Sequence, residues 1–269
     1  MSLLDSIFKN SYASLGTVQQ NFCEYTEVFG KQPVFIRCDL GFMDTLPNNA
    51  LSCCLKIQMD VYVRPELPTL ISESEASYIA TVRSSIAEHI SGRFVGQGVI
   101  GSSGTAFLMF YIPERSALSS KKMLSEVFMG SFRNVETTVV SDPDGLQYKK
   151  YLYPNEVQMK KSENMKILKS LKTYGDDGTI PRPIRFNIVF ASKKDAMSCY
   201  SESTEKSFIY KDMVSEPVPE GMVLPRFRLV LERTLPFNIE LLAAVDSYLL
   251  KLAKEHNGEY KSLETDIVE

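Results

Sequence analysis

The chain of 269 residues contains no tryptophan and two histidines, His89 and His256. Its five cysteines are an odd number and include no C-x-x-C pair. These absences argue against a zinc site and against a disulfide framework, because such residues recur at characteristic spacings. We therefore predict buried, reduced cysteines and no bound metal or nucleotide cofactor.

Catalytic motifs are also missing. No serine or cysteine close to His89 or His256 forms a nucleophile elbow or a triad signature. Asp176 and Asp177 are adjacent carboxylates, but the glycines around them favour a loop that ends a helix over an acid–base pair. We predict that the protein is not an enzyme, with an enzyme whose site is hidden from sequence as an alternative.

Three glycines have the spacing of the dinucleotide-binding pattern G-x-G-x-x-G but not its structural context. They are Gly96, Gly98 and Gly101. This pattern binds a pyrophosphate only when a helix follows it, and here residues 105–112 read as a strand. The glycines therefore predict a twisted hairpin with a bulge.

The sequence lacks both long apolar runs and an excess of one charge. No run approaches the roughly 20 residues that span a bilayer, and residues 1–12 lack the pattern of a signal peptide. We therefore predict a cytoplasmic protein that does not bind a membrane. The 30 basic and 33 acidic residues give a net charge of −3, so we expect no direct binding to nucleic acid.

Residues 181–268 predict the order strand, helix, strand, strand, helix, strand. The apolar face of the first strand consists of Ile184, Phe186, Ile188 and Phe190. Ser192 and Asn238 are predicted helix N-caps, and Gly258 is a predicted C-cap. A turn rich in proline, at residues 217–225, separates the two middle strands. This order is that of a ferredoxin-like domain, two split βαβ units.

The first half repeats that order over residues 53–140, after a predicted hairpin of residues 22–29 and 34–40. Its clearest strand has one apolar face, formed by Cys53, Leu55, Ile57, Met59, Val61 and Val63. Residues 146–153 read as a further strand. Residues 1–20 read as a weakly patterned short helix or docking arm.

The predicted fold class is therefore α+β, as two tandem ferredoxin-like (βαββαβ) domains, residues 1–145 and 146–269. Each should have a four-stranded antiparallel sheet backed by two helices.

A candidate site lies on the open face of the second predicted sheet. Ferredoxin-like sheets that bind RNA carry stacking aromatic residues there, and this face has none, so we expect no RNA. Its polar centre consists of Arg185, Asn187, Arg228 and Glu232. We predict that these four residues bind a partner protein, and a plain solvated face is the alternative.

A set of lysines marks the outer face of the helix that begins near Asn155. They are Lys160, Lys161, Lys166, Lys169 and Lys172. Such a set is typical of a solvated helix surface. A contact with an acidic partner groove is the alternative.

The second half carries a group of residues by which it resembles a known family. These are Gly175, Asp176, Pro181, Arg182, Phe190, the sequence Arg-Thr-Leu-Pro at 233–236, the sequence Glu-His-Asn-Gly-Glu-Tyr at 255–260, Glu264 and Thr265. With them it resembles the regulator of ribonuclease activity B (RraB) family of ribonuclease E inhibitors, which have a ferredoxin-like domain. The first half, with residues 151–154, resembles an uncharacterised family, domain of unknown function 695 (DUF695).

The resemblance implies a regulator that binds a protein and has no chemistry of its own. The expected partner is a ribonuclease. The alternative is an immunity-type protein that neutralises a toxin. The oligomeric state and the role of the first domain stay open.

Overall fold

The computed structural model describes residues 18–29, 31–128, 133–216 and 226–268. The chain forms two compact units, which divide between Pro154 and Asn155. Both are mixed α+β units with antiparallel sheets. Residues 1–17 of the predicted short helix or docking arm (residues 1–20) and the turn predicted for residues 217–225 lie outside the described residues.

The first unit has a six-stranded sheet instead of the four-stranded sheet that we predicted. Its strands are β1 Phe22–Phe29, β2 Gln32–Asp39, β3 Cys53–Asp60, β4 Arg93–Ile100, β5 Thr105–Ile112 and β6 Val135–Ser141. The order is β1-β2-β4-β5-β3-β6, and every neighbouring pair is antiparallel. The predicted hairpin of β1 and β2 is present, and it enlarges the sheet because β2 pairs with β4.

Two helices cover one face of this sheet, α1 Glu73–His89 and α2 Ala117–Val127. Helix α1 begins where the Ser72 side chain accepts a hydrogen bond from the backbone of Glu75. The core below the helices includes the apolar face predicted for β3, with Cys53, Leu55, Ile57, Met59 and Val61.

The opposite face is also covered, by a 3-10 helix, Leu40–Thr45, and by helix α3, Leu146–Tyr151. The strand predicted for residues 146–153 is therefore wrong. The Asp142 carboxylate accepts hydrogen bonds from the backbone of Leu146 at 2.7 Å and Gln147 at 2.8 Å, so it begins a helix there. Residues 146–154 thus lie with the first unit and not with the second, since Tyr148 and Leu152 are fully buried in its core.

The second unit follows the predicted order of elements. Its strands are β7 Arg182–Phe190, β8 Ile209–Glu216, β9 Arg226–Leu235 and β10 Gly258–Thr265, and its helices are α4 Glu156–Thr173, α5 Lys193–Ser203 and α6 Ile239–Glu255. The sheet order is β10-β7-β9-β8, entirely antiparallel. The side chains of Asn155, Ser192 and Asn238 cap the three helices.

All three helices contribute to one core with a single face of this sheet. The residues predicted to point inward from β7 do so, because Ile184, Phe186, Ile188 and Phe190 are at most 1% exposed. The helices α5 and α6 bury Ala196, Leu242 and Leu249 against them. In the described part of the chain, no helix is long and apolar enough to cross a membrane.

Candidate partner-binding face

The four residues predicted for a partner site lie together on the face of the second sheet that points away from its helical core. We call this the open face. Opposite residues of an antiparallel pair share a face. Arg185 of β7 lies opposite Glu232 of β9, while Asn187 lies opposite Val230 and Arg228 lies opposite Val189.

The four residues differ in their access to solvent. Asn187 is 3% exposed and Glu232 is 9% exposed. The side chains of Arg185 and Arg228 are 33% and 36% exposed. Within the predicted set, the two arginines are therefore the groups most accessible to solvent, and of the two buried residues Glu232 lies next to Arg185.

Asn187 and Glu232 make internal polar contacts. The Asn187 amide donates to Glu264 at 2.9 Å and to Ser262 at 3.3 Å, both on β10. A Glu232 carboxylate oxygen lies 3.7 Å from Arg185 Nε and 3.4 Å from Lys211 Nζ. Glu232 thereby links the central strands to the edge strand β8.

Further ion pairs extend across the open face. Arg228 Nε lies 3.4 Å from Glu216 of β8, and Arg226 lies 3.6 Å from Glu259 of β10. Because β7 lies between β9 and β10, the second pair passes over β7 at Val189, the residue opposite Glu259. Val189 is accordingly 4% exposed.

Sequence reasoning missed the acidic residues that complete this network, Glu216, Glu259 and Glu264. They come from the edge strands β8 and β10, each of which has a β-bulge. A bulge reverses the alternation of faces, so the pattern of these strands alone does not show which residues point outward. Glu259 lies two strands away from Arg226, so no local sequence pattern indicates that they pair.

A buried ion pair lies at one end of the same sheet. The Arg182 guanidinium bonds to both oxygens of Asp176, and both residues are buried. Asp176 also accepts from the backbone of Gly178 at 2.9 Å and Val268 at 3.0 Å. The bond from Arg182 holds the pKa of Asp176 well below its usual range. This carboxylate therefore ties the loop before β7 to the segment after β10, which is a structural role.

A second buried carboxyl, Asp246, lies in the middle of helix α6. It accepts hydrogen bonds from the Tyr260 hydroxyl and from the Asn164 amide, each at 2.7 Å. Burial raises the pKa of the Asp246 carboxyl, and the two hydrogen bonds oppose that shift. The three residues join α4, α6 and β10 inside the core.

The motifs considered for catalysis are explained by the fold. The three glycines lie in β4 and in the turn into β5, with a bulge between Phe94 and Gly96, so the predicted hairpin is confirmed. The ring of His89 contacts the Ser85 carbonyl at 2.7 Å, and His256 contacts Glu202 at 3.0 Å. Over the described ranges, no three His, Cys, Asp or Glu residues cluster as a metal site.

The cysteines are buried thiols, as predicted, at Cys23, Cys38, Cys53, Cys54 and Cys199. Burial raises the pKa of the Cys199 thiol to about 12. A thiol with such a pKa is a poor nucleophile at neutral pH, because the thiolate is the reactive form.

Residues 161–265 match the family model described as regulator of ribonuclease activity B. The match begins within α4 and ends with the last residue of β10. It therefore contains every strand of the second sheet and all four predicted partner-binding residues. This part of the chain is similar to a family of ribonuclease regulators, and no curated protein matches the sequence.

Two solved structures are similar to the chain at low identity. An unknown protein from Galdieria sulphuraria is 10% identical, with 80% of this chain and 99% of that chain covered and a TM-score of 0.24. A candidate glycine cleavage system transcriptional repressor is 8% identical, with the same coverage and a TM-score of 0.23. TM-scores this low support no argument about fold or function.

Proposed function

We propose that the protein is a non-catalytic cytoplasmic regulator that binds a ribonuclease through the open face of its second unit. The observation that carries this proposal is the match of residues 161–265 to the regulator of ribonuclease activity B family. The partner-binding role of Arg185, Asn187, Arg228 and Glu232 is part of the proposal.

The order of the strands supports a ferredoxin-like plan for both units. In the second sheet the spatial order is fourth, first, third and second strand of the unit. The strands β6-β3-β5-β4 have the same order in the first sheet. We propose that the first unit is an elaborated ferredoxin-like domain of the DUF695 type, enlarged by the β1–β2 hairpin.

The ion pairs of the open face are weak enough for a carboxylate of a partner protein to replace one of their own carboxylates. Arg185 and Arg228 each lie near a carboxylate of this unit and stay about one-third exposed. Partly exposed ion pairs contribute roughly 0–1 kcal/mol, so a partner carboxylate can replace Glu216 beside Arg228 at little cost. The buried valines Val189, opposite Arg228, and Val230, opposite Asn187, adjoin the arginines and add apolar contact once the charged side chains turn aside.

The test is inhibition of a purified ribonuclease E by the full chain, with cleavage of a fluorogenic single-stranded RNA as the measurement. We expect saturable inhibition by the unchanged protein. Arg228→Glu places a second carboxylate beside Glu216 and should weaken inhibition at least about tenfold, since like charges that meet at an interface are costly.

The matched control is Lys169→Glu, which makes the same charge change on the exposed surface of α4. It should leave inhibition unchanged. No inhibition or binding by the unchanged protein would contradict regulation of this nuclease. Equal inhibition by the two variants would place the contact away from the open face, provided that both melt at the temperature of the unchanged protein.

A further inference from the structure

The edge strands of the two sheets differ in the features that prevent pairing with another chain. In the second sheet, both edges carry a β-bulge, between Tyr210 and Asp212 in β8 and between Tyr260 and Ser262 in β10. A lysine, Lys211 or Lys261, lies at each bulge. Bulges and edge lysines are devices that prevent a strand from pairing with another chain.

Strand β6, at one edge of the first sheet, has no such protection. It pairs with β3 in unbroken register from Val135 to Ser141. Its sequence, VETTVVS, is rich in β-branched residues, without proline, glycine or lysine, and its single charge is Glu136. The other edge strand, β1, carries two glutamates, Glu24 and Glu27.

The outer edge of β6 is unpaired within the described ranges of the chain, since its strand partner there is β3. The side chains alternate between exposed and half-buried, and Val140 is 43% exposed. A flat, exposed edge of β-branched residues is a ready template for another strand.

We infer that β6 pairs with β6 of a second copy of this chain, antiparallel, about a twofold axis at Thr138. In this register Thr138 lies opposite its own copy. Thr137 then lies opposite Val139, and Glu136 lies opposite Val140. No charge meets a like charge, and cross-strand pairs of threonine and valine are favourable.

This self-complementarity is why a second copy is the proposed occupant. A twofold contact also closes on itself and yields a discrete dimer. The first sheet of one copy would join the first sheet of the other edge to edge, as one continuous sheet.

The surface beside β6 supports the same contact. A groove between α2 and β6 is lined by Leu124, Phe128, Val135 and Thr137, with Lys121 and Ser125 at the same helix face. Leu118, three residues before Lys121 and seven before Ser125, shares that face by helical spacing. It is 85% exposed. An adjoining copy would cover Leu118 and the groove.

The first test is the mass of the full chain in solution, from sedimentation or light scattering over a range of concentrations. We expect a dimer of the 30.4 kDa chain. Thr138→Lys adds an exposed lysine to each chain, but in the dimer the two ammonium groups would lie opposite each other. We expect this variant to be monomeric with unchanged circular dichroism.

Ser215→Lys is the matched control, because Ser215 is also exposed on an edge strand, the bulged β8. It should remain a dimer. A monomer at all concentrations, or a dimer that Thr138→Lys leaves intact, would overturn the proposal. Binding of a strand from another protein by a monomeric chain would likewise show a different occupant.

A cross-linking test fixes the register and does not depend on a destabilising change. Thr138→Cys should form an intermolecular disulfide with oxidised glutathione as the oxidant, because the two α-carbons would lie about 5 Å apart. Glu136→Cys should not, because the two copies of residue 136 would be about 14 Å apart at ~3.4 Å per residue. The native cysteines are buried and give little background. Cross-linking at 136 in preference to 138 would contradict this register.

Discussion

The first sheet is packed on both faces, whereas the helices of the second cover a single face. Both units use the order strand, helix, strand, strand, helix, strand. In the first, the 3-10 helix Leu40–Thr45 and helix α3 add a second core around Phe42 and Tyr148. The comparison shows that flanking segments, and not the shared order, decide whether a second face of a sheet is covered.

The two units also use a similar device at the ends of their sheets. Arg93 binds the buried Asp39 at 2.7 Å in the first unit, and Arg182 binds the buried Asp176 in the second. Each arginine ties a segment outside the sheet to a strand, since Arg93 also donates to the Val18 carbonyl and Arg182 to that of Asp266.

The substitution with the largest expected effect disrupts the second core of the first unit. Phe42 is fully buried, with its ring centroid 4.5 Å from that of Tyr111 and 5.1 Å from that of Tyr148. Phe42→Ala should lower the free energy of unfolding of this unit by about 4 kcal/mol through lost burial and a cavity. Urea denaturation followed by hydrogen exchange measures it.

The control for this prediction is Leu118→Ala, at a side chain that is 85% exposed. It should leave the stability of a monomeric background such as Thr138→Lys unchanged. Hydrogen exchange in peptides of β7 should not change with Phe42→Ala. A loss of protection from exchange that is confined to β7 would mean that the second core does not stabilise the first unit.

A smaller effect tests the buried ion pair of the second unit. Arg182→Met leaves the Asp176 carboxylate buried without its cation, which should cost about 3 kcal/mol of stability. Urea denaturation monitored in peptides of β7 and β10 provides the measurement. The double variant with Asp176→Asn should recover part of the loss, while Lys169→Met, at an exposed lysine, should change little. Equal stability of the single and double variants would contradict the pairing.

The smallest expected effect concerns Asp246, the buried carboxyl of helix α6. Burial raises its pKa above the ordinary value of about 4. A carboxyl with a raised folded-state pKa contributes stability that is present below about pH 4 and is lost as the pH rises through that pKa. The charged groups facing it are Lys160 and Glu163 of α4.

Asp246→Asn removes this ionisation but keeps the shape of the side chain. The stability of the unchanged protein, minus that of the variant, should therefore fall as the pH rises from about 4 to about 7. Thermal or urea denaturation at several pH values measures that difference. Asp212→Asn, at an exposed aspartate of β8, should show no such decline. A difference that grows with pH would mean that the ionised carboxylate is the favoured form.

Local patterns predicted much of this fold. The alternation of Ile184 to Phe190 gave β7 its buried face, and Ser192 and Asn238 cap helices as predicted. These features depend on residues within one element or one turn. The pairing of β2 with β4 depends on residues roughly 60 positions apart, and nothing in either strand specifies it.

Helix α3 shows a different limit. Its residues, LQYKKY, give too short a pattern to separate a strand from a helix. The helix is favoured over a strand by Asp142, whose carboxylate binds the first backbone amides, and by Tyr148, which is buried against residues distant in sequence. For the candidate site, the parity of β7 and β9 placed four residues correctly on one face, but burial of Asn187 and Glu232 follows from bulged edge strands.

The position of α3 at the end of the first unit has a consequence for synthesis of the protein. Tyr148 and Leu152 complete a core that begins with Cys23 and Tyr25, so the first unit closes only after its last residues have left the ribosome. The Tyr25 hydroxyl bonds the Leu152 carbonyl at 3.0 Å across that span. A ribosome that pauses before residue 152 therefore holds a sheet with one face still incompletely covered, which chaperones would be expected to bind.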